Sequence, residues 1–353
     1  MRILNVADFN WMTGAERRTV RLSLFDIRRK FTLAATRANH LVVEFSDRAV
    51  ARRASLWRNG TFGDRAADRR FLQTVDEFKP DLIWLHFADH ISNAALNQAR
   101  RLAPGVTIVD INIDPIDTAK NQKRLAARRG AVDALFVTTA DPALAAFATG
   151  PSFAAYLPNP VDPAVETGRA FETVAPQFDL LFAAHDGRPR DLGPERLSPA
   201  MAVQRLRVAA PMLRLYTPGV AGEAEAGGYA YFQALQAARM GWSLSRRIAP
   251  LYASDRMAHF FGWGLAVLID RRSGFDRFYS LEEAVFYDHL DDLAGQAAAL
   301  KADDARARAM AQAGWVKTWN IFHSGKVLDY VMAQLFDAGG AKDYPWPCDR
   351  WSG

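Results

Sequence analysis

One cysteine, Cys348, stands in 353 residues, which excludes an intrachain disulfide and fits a reducing compartment. No run approaches the roughly 18 consecutive apolar residues that a membrane-spanning helix needs. The opening MRILNVAD passes straight into a strand pattern with no signal-peptide core, so a cytoplasmic protein is expected, with at most peripheral membrane association. Zinc-finger spacing and aromatic-interleaved basic motifs are missing, which argues against nucleic acid as a partner. Internal repeats and low-complexity segments are missing too.

What is present is ordinary in amount and uneven in place. Half of the residues are hydrophobic and 24% are charged, as in soluble globular proteins, and the length predicts two domains with cores of their own. The net charge is +5. Residues 1–60 hold twelve Lys and Arg against five Asp and Glu. That excess reads either as a basic face for anionic lipid, nucleotide or acidic glycan, or as solvated arginine on helix faces.

Short apolar runs at residues 3–7, 41–45, 81–86, 106–111, 134–139 and 153–157 read as buried parallel strands. Helical patterns cover 16–29, 64–78, 92–102 and 121–129. The Pro-rich residues 158–163 read as a joint between domains. Beyond it come strands at 178–184, 213–216, 240–245 and 265–269, and helices at 229–238, 293–301, 303–318 and 325–336. Residues 222–228, small and acidic, read as a flexible insertion. Two blocks of alternating strands and helices predict an α/β protein of two doubly wound, Rossmann-like domains facing across a cleft, residues 1–160 and 161–353.

The chemistry concentrates between Tyr252 and Asp292. Ser254 and Asp255 can cap a short amphipathic helix that carries Arg256, His259, Phe260 and Phe261 and that Gly262 and Gly264 stop. The strand after it ends at Asp270, and a loop with Ser273, Gly274 and Phe275 follows. Ligands of open α/β sheets sit at the carboxyl ends of strands, so Arg256 and this loop predict a cradle for a phosphate-bearing ligand. Arg246 and Arg247 lie at the end of the preceding strand. His86 and His90 are four apart, a metal-binding spacing on a helix, but His86 ends a strand and no metal site is expected. His86 itself is either a general base, with an unperturbed pKa near ~6.5, or a polar plug at a strand end.

Arg256, Gly264, Asp270, Gly274, Phe278, Tyr287, Asp288 and Leu293 keep an order and spacing that resemble group 1 glycosyltransferases, and among them the spore-coat CgeB-like branch of the GT-B fold. His259 stands where that family often has Glu. The segment Val42-Val43-Glu44-Phe45-Ser46-Asp47-Arg48 is similar to the family in the first half, and Ala184-His185 replaces a usual Gly-Ser in the second. The resemblance implies a metal-independent glycosyltransferase that consumes a nucleotide-sugar as co-substrate and has no resident cofactor. Its acceptor would be a glycan, a lipid-linked molecule or a protein, in polysaccharide biosynthesis. It implies donor contacts from Arg256, His259, Arg190, Arg188, Tyr216, Ser254, Gly274 and Phe275, and acceptor-side or phosphate contacts from Asn10, Thr13 and Gly14. Asp114, with Asp110 behind it, is the implied proton-accepting carboxylate, beside His86; a cap before Pro115 is the other reading of Asp114. The last helix, at about 325–336, would cross back to the first domain. A non-catalytic GT-B-like protein that binds glycan or nucleotide, or a sugar-nucleotide epimerase, is the alternative.

Overall fold

Strands that are covered on both faces are written as near-continuous apolar runs, and these runs form the two sheets of the computed structural model, which describes residues 1–9, 26–54, 60–337 and 339–353. The chain packs into two units, residues 1–158 with 324–353, and residues 159–323. In the first unit, β1 (Arg2–Val6), β2 (Leu41–Phe45), β3 (Leu82–His86), β4 (Thr107–Asn112), β5 (Ala134–Val137) and β6 (Phe153–Tyr156) are parallel in the order β2-β1-β3-β4-β5-β6. A tail strand, Arg350–Trp351, adds antiparallel to β6. Helices α1 (Ile27–Arg37), α2 (Asp47–Ala54), α3 (Gly60–Phe78), α4 (Asn93–Leu102) and α5 (Ala119–Ala127) connect these strands. Leu4, Val6, Phe71, Ile83, Leu85 and Leu96 are fully buried in the core of this unit.

The second unit repeats the plan with β7 (Phe178–Leu181), β8 (Arg190–Leu192), β9 (Glu195–Leu197), β10 (Leu215–Tyr216), β11 (Ala238–Ser243), β12 (Ala266–Asp270) and β13 (Val285–Tyr287). Its main sheet runs β10-β7-β11-β12-β13, all parallel, while β8 and β9 pair as a separate antiparallel hairpin. The helices are α6 (Pro199–Ala209), α7 (Tyr229–Gln236), α8 (Asp255–Gly262), α9 (Leu290–Ala302) and α10 (Asp304–Ile321). Strand order reverses between β7 and β11, so their carboxyl ends diverge and leave a crevice. In the core the buried Trp242 Nε1 donates to Tyr287 Oη at 3.1 Å. A Cβ on Gly241 of β11 would meet the Phe260 ring at 2.5 Å; its absence lets α8 lie directly against β11.

The last helix, α11 (Ser324–Phe336), is counted with the first unit. Tyr330 Oη donates to the carbonyl of Tyr156 (2.9 Å), and Arg37 donates to Ser324 Oγ (3.1 Å). The predicted helix at 16–29 falls mostly on residues outside the described ones, and α1 starts at Ile27 behind its cap Asp26, which accepts from Arg28 N at 3.0 Å. The predicted strand at 213–216 shortens to β10, and β11 begins at Ala238, inside the helix predicted for 229–238. The hairpin β8–β9 had no counterpart in the pattern because its strands are three residues long and polar. The predicted insertion at 222–228 is fastened: Glu223 accepts from Thr217 N (3.1 Å) and Thr217 Oγ1 (2.7 Å).

His86 is interior. Its ring is 1% exposed, lies 5.9 Å from the Phe31 ring of α1, and leaves Nε2 without a hydrogen-bond partner. Burial, with a smaller contribution from Arg28, lowers its pKa to about 3. Of the two readings, a polar plug at a strand end fits this burial better than a general base. Asp110 is also interior, and burial pushes its carboxyl up to about 6 against the opposing pull of Arg128 and Arg124.

Two outcomes follow for stability. Between about pH 6.5 and about pH 3 the unfolded chain protonates His86 and the folded chain does not, so folding stability falls as pH falls through that window, by an amount on the order of 4 kcal/mol in total. His86→Leu removes this loss while Asp110 stays common to both proteins. Chemical-denaturation midpoints at pH 7 and pH 4 should therefore drop less for the variant; parallel drops would refute the assignment. Gly241→Ala should destabilise by about 1–3 kcal/mol through the forced shift of Phe260, read as a lower thermal midpoint.

Candidate functional site

The crevice between β7 and β11 is where the second unit gathers positive charge. Arg256 is the second residue of α8, and its guanidinium reaches back over the sheet edge, donating to Ala183 O beyond β7 (2.7 Å) and to Leu244 O beyond β11 (3.4 Å). Arg190 opens β8 and donates to the same Leu244 carbonyl at 2.9 Å, with its guanidinium 5.8 Å from the centre of the Phe182 ring. The Nε atoms of both arginines are buried without a partner. Among the described residues neither side chain has a carboxylate within ion-pair distance. Arg190 is 4% exposed, and its pKa is lowered to about 8 by burial first, then by Arg256 and Arg246. Arg256 keeps part of its surface exposed and is lowered as well, chiefly by loss of water around it.

An arrangement of like charges without counter-charge is unfavourable when empty. It becomes favourable when an anion enters, because guanidinium N–H groups bond oxyanions strongly and in pairs. The first turn of α8 adds the positive end of a helix dipole. Tyr252, 5% exposed, faces the two guanidiniums electrostatically. Tyr231 on α7 is fully buried near Arg256, with its hydroxyl unpartnered and its pKa raised by burial. The loop of Ser273 and Gly274 is tied to this edge, since Leu251 N donates to Ser273 O at 2.8 Å. Gly274 takes the left-handed conformation there, φ 76°, which glycine adopts without strain.

The other residues expected at the donor divide clearly. Arg188 is exposed and has no hydrogen bond or ion pair among the described residues, so it is available two positions before Arg190. Ser254 is the N-cap of α8, but its hydroxyl makes no capping bond. His259 is interior: it is 3% exposed, and its Nδ1 lies 2.6 Å from Glu166 Oε1 while Glu166 Oε2 accepts from Asp162 N at 2.7 Å. It braces α8 from beneath. Phe275 is interior also, 3% exposed with its ring against Phe278. The ring of Tyr216 stacks on Phe178, centroids 4.6 Å apart, and Phe178 opens β7 at the end away from the arginines. The sequence missed that Arg246, Tyr252 and Tyr231 lie near enough to Arg256 to act on its charge, because only tertiary packing brings them together.

In the first unit, Asp114 lies beyond the carboxyl end of β4 with its side chain 41% exposed and 3.5 Å from Arg124. Arg124 is held mainly by Asp89, at 2.8 Å through each of two nitrogens. His90 Nδ1 sits 2.6 Å from Asp64, apart from the buried His86. The described residues hold no group of three or more potential metal ligands. Asn10, Thr13 and Gly14 lie outside the described residues.

Residues 196–333 match a family model described as glycosyl transferase-like. No curated protein matches the sequence significantly. Among solved structures, HepE from Anabaena, in complex with UDP and glucose, is similar over 95% of this chain and 99% of its own, with 14% identity and a TM-score of 0.57. AviGT4, a glycosyltransferase involved in avilamycin A biosynthesis, is similar over 94% and 96% at 13% identity, with a TM-score of 0.56. Sucrose-phosphate synthase from Thermosynechococcus elongatus is similar over 96% and 100% at 12% identity, also with a TM-score of 0.56. At these identities the likeness is one of fold, and the fold is GT-B: two Rossmann-like α/β units built on parallel sheets.

Proposed function

We propose that this protein is a glycosyltransferase that moves a sugar from a nucleotide-activated donor, whose diphosphate Arg190 and Arg256 hold. The observation that carries the reading is the pair of guanidiniums on one carbonyl, without a carboxylate, at the strand-order reversal of the second sheet. The family match, which spans Arg256, supports it, as does a structural neighbour that was crystallised with UDP and glucose. As the bond from sugar to diphosphate breaks, negative charge grows on the leaving oxygen, and fixed cations oppose it without reorganising. Arg188, exposed nearby, extends the same cationic edge.

The protein itself supplies this charge, so the transfer is proposed to be metal-independent, with the nucleotide-sugar consumed as co-substrate. Asp114 is the proposed base for the acceptor hydroxyl, since it is exposed beyond a strand end while His86 and Asp110 are interior. The acceptor is a glycan, a lipid-linked molecule or a protein, as in polysaccharide assembly. The motif running from Arg256 to Leu293 resembles the CgeB-like branch, and membership of that branch is part of the proposal.

Calorimetric titration with UDP and other nucleoside diphosphates, followed by turnover assays on a panel of nucleotide-sugars, tests the reading. Arg256→Ala and Arg190→Ala should each weaken diphosphate binding about tenfold to a hundredfold, the worth of a charge-assisted hydrogen bond. Unchanged affinity in folded variants would remove the diphosphate from this crevice. Inorganic pyrophosphate should also raise the thermal midpoint of the wild type, because it relieves the repulsion between Arg190 and Arg256, and should do so less in either variant.

A further inference from the structure

We propose that Arg53 of α2 and Arg69 and Arg70 of α3 form a second anion site, which seats the first unit on an anionic phospholipid surface. The three side chains line a cavity of about 420 Å3 whose floor is apolar, formed by Phe45, Val50 and Ala66, and no acidic residue lines it. All three arginines are exposed. Among the described residues Arg53 and Arg69 make no hydrogen bond or ion pair, and Arg70 makes one, to Gln73 Oε1 at 3.1 Å. The two helices hold this geometry because they touch backbone to backbone: a Cβ on Gly63 would meet the Ala51 carbonyl at 2.5 Å.

The helix α3 segregates its charges. At about 100° per residue, Phe62, Arg65, Ala66, Arg69 and Arg70 share one face. Asp64 and Asp68 lie on the other face and are engaged there. Asp64 meets His90 Nδ1 at 2.6 Å, and Asp68 accepts from Ser92 N (2.8 Å) and Ser92 Oγ (2.7 Å). Further along, Asp76 is paired with Lys79 at 2.6 Å, and Glu77 follows about 10 Å beyond Arg70 along the axis. Asp76 and Glu77 thus return on the guanidinium face two turns beyond Arg69 and Arg70, while the cavity itself has no carboxylate in its lining, and Phe62, 74% exposed, stands two turns before Arg69 on that face.

An aromatic side chain in water, a ring of arginines and an apolar floor together match an amphiphile with an anionic phosphate head. A small soluble anion would leave the apolar floor and Phe62 without a partner. No helix among the described residues is long and apolar enough to cross a membrane, so the contact would be peripheral. The inference is independent of Arg190 and Arg256.

Sedimentation of the full chain with vesicles tests it, comparing equal parts phosphatidylglycerol and phosphatidylcholine with phosphatidylcholine alone, at low and high salt. Binding should be at least about tenfold stronger on the anionic vesicles and should collapse at high salt, since each basic residue near such a surface contributes about fivefold. The combined variant Arg53→Glu, Arg69→Glu, Arg70→Glu should lose about a hundredfold or more, and Phe62→Ser should lose binding with the salt dependence kept. UDP titration of the same proteins reports folding and the donor site separately; if UDP binds none of them, the donor reading falls while the vesicle result stands. Equal binding to both vesicle types, or wild-type binding by the combined variant, would overturn the proposal. So would inorganic phosphate binding that needs the three arginines while vesicles are ignored, which would assign the cavity to a soluble ligand.

Discussion

Two guanidiniums donate to one carbonyl oxygen, that of Leu244, at the point where the second sheet reverses its strand order. A backbone carbonyl offers two lone pairs and no net charge, so it orients the arginines without neutralising them. The surrounding elements serve that placement. The side-chain-free Gly241 lets α8 approach β11 and so brings Arg256 over the sheet edge. The buried Glu166 and His259 pair fixes α8 from below. The hairpin β8–β9 delivers Arg190 from the opposite side, and Gly193 within it packs so closely that a Cβ would lie 2.8 Å from the Asp288 carbonyl.

Three other buried charges of the second unit, Asp179, Asp270 and Arg239, are each paired. Asp179 accepts from both Arg214 (2.7 Å) and Lys301 (2.8 Å). Asp270 takes Arg272 at 2.6 Å, and Arg239, only 3% exposed, has Asp304 at 2.8 Å together with two carbonyls. Removing a charge from water is expensive unless a counter-charge or several hydrogen bonds replace the lost hydration. A fold that satisfies this rule at Arg239 and departs from it at Arg190 and Arg256 holds a local conflict, and such conflicts collect where a ligand completes the structure.

Much of the architecture was legible in the sequence because buried parallel strands leave a plain trace. Leu82–His86 is apolar nearly throughout, and so is Ala266–Asp270, each ended by a polar residue at the carboxyl edge. The position of Arg256 was legible for the same reason, as a basic residue in the first turn of a helix that precedes such a strand. What was not legible lies where a side chain's direction, not its neighbourhood, decides. Tyr216 stands next to the edge in sequence, yet its ring leans along the strand onto Phe178. His86, His259 and Phe275 occupy loop-proximal positions and point inward. Periodicity locates a Cα on an element, and it is silent on which rotamer the packing selects. Arg190 was named without its depth, since the three-residue strand that carries it has no periodic signature.

Net charge conceals a distinction of consequence. The excess at Arg190 and Arg256 sits in a crevice, where surrounding protein replaces water and the mutual repulsion is weakly screened. The excess on α2 and α3 is exposed, where ions of ordinary buffer screen charges over about 10 Å at 0.1 M salt. The first can act at any physiological ionic strength on a ligand that penetrates to it, through short-range hydrogen bonds. The second acts at range and in sum, through many weakly held charges opposite an extended surface. A diphosphate fits the first because two tetrahedral centres can reach buried donors; a sheet of lipid headgroups fits the second because only an extended anion can face α2 and α3 together. On the two proposals the same residue type would serve recognition in depth and attraction across a face, and what separates the two is whether the acidic residues nearby lie beyond ion-pair distance, as Asp255 does from Arg256, or are turned to other partners, as Asp64 and Asp68 are on α3.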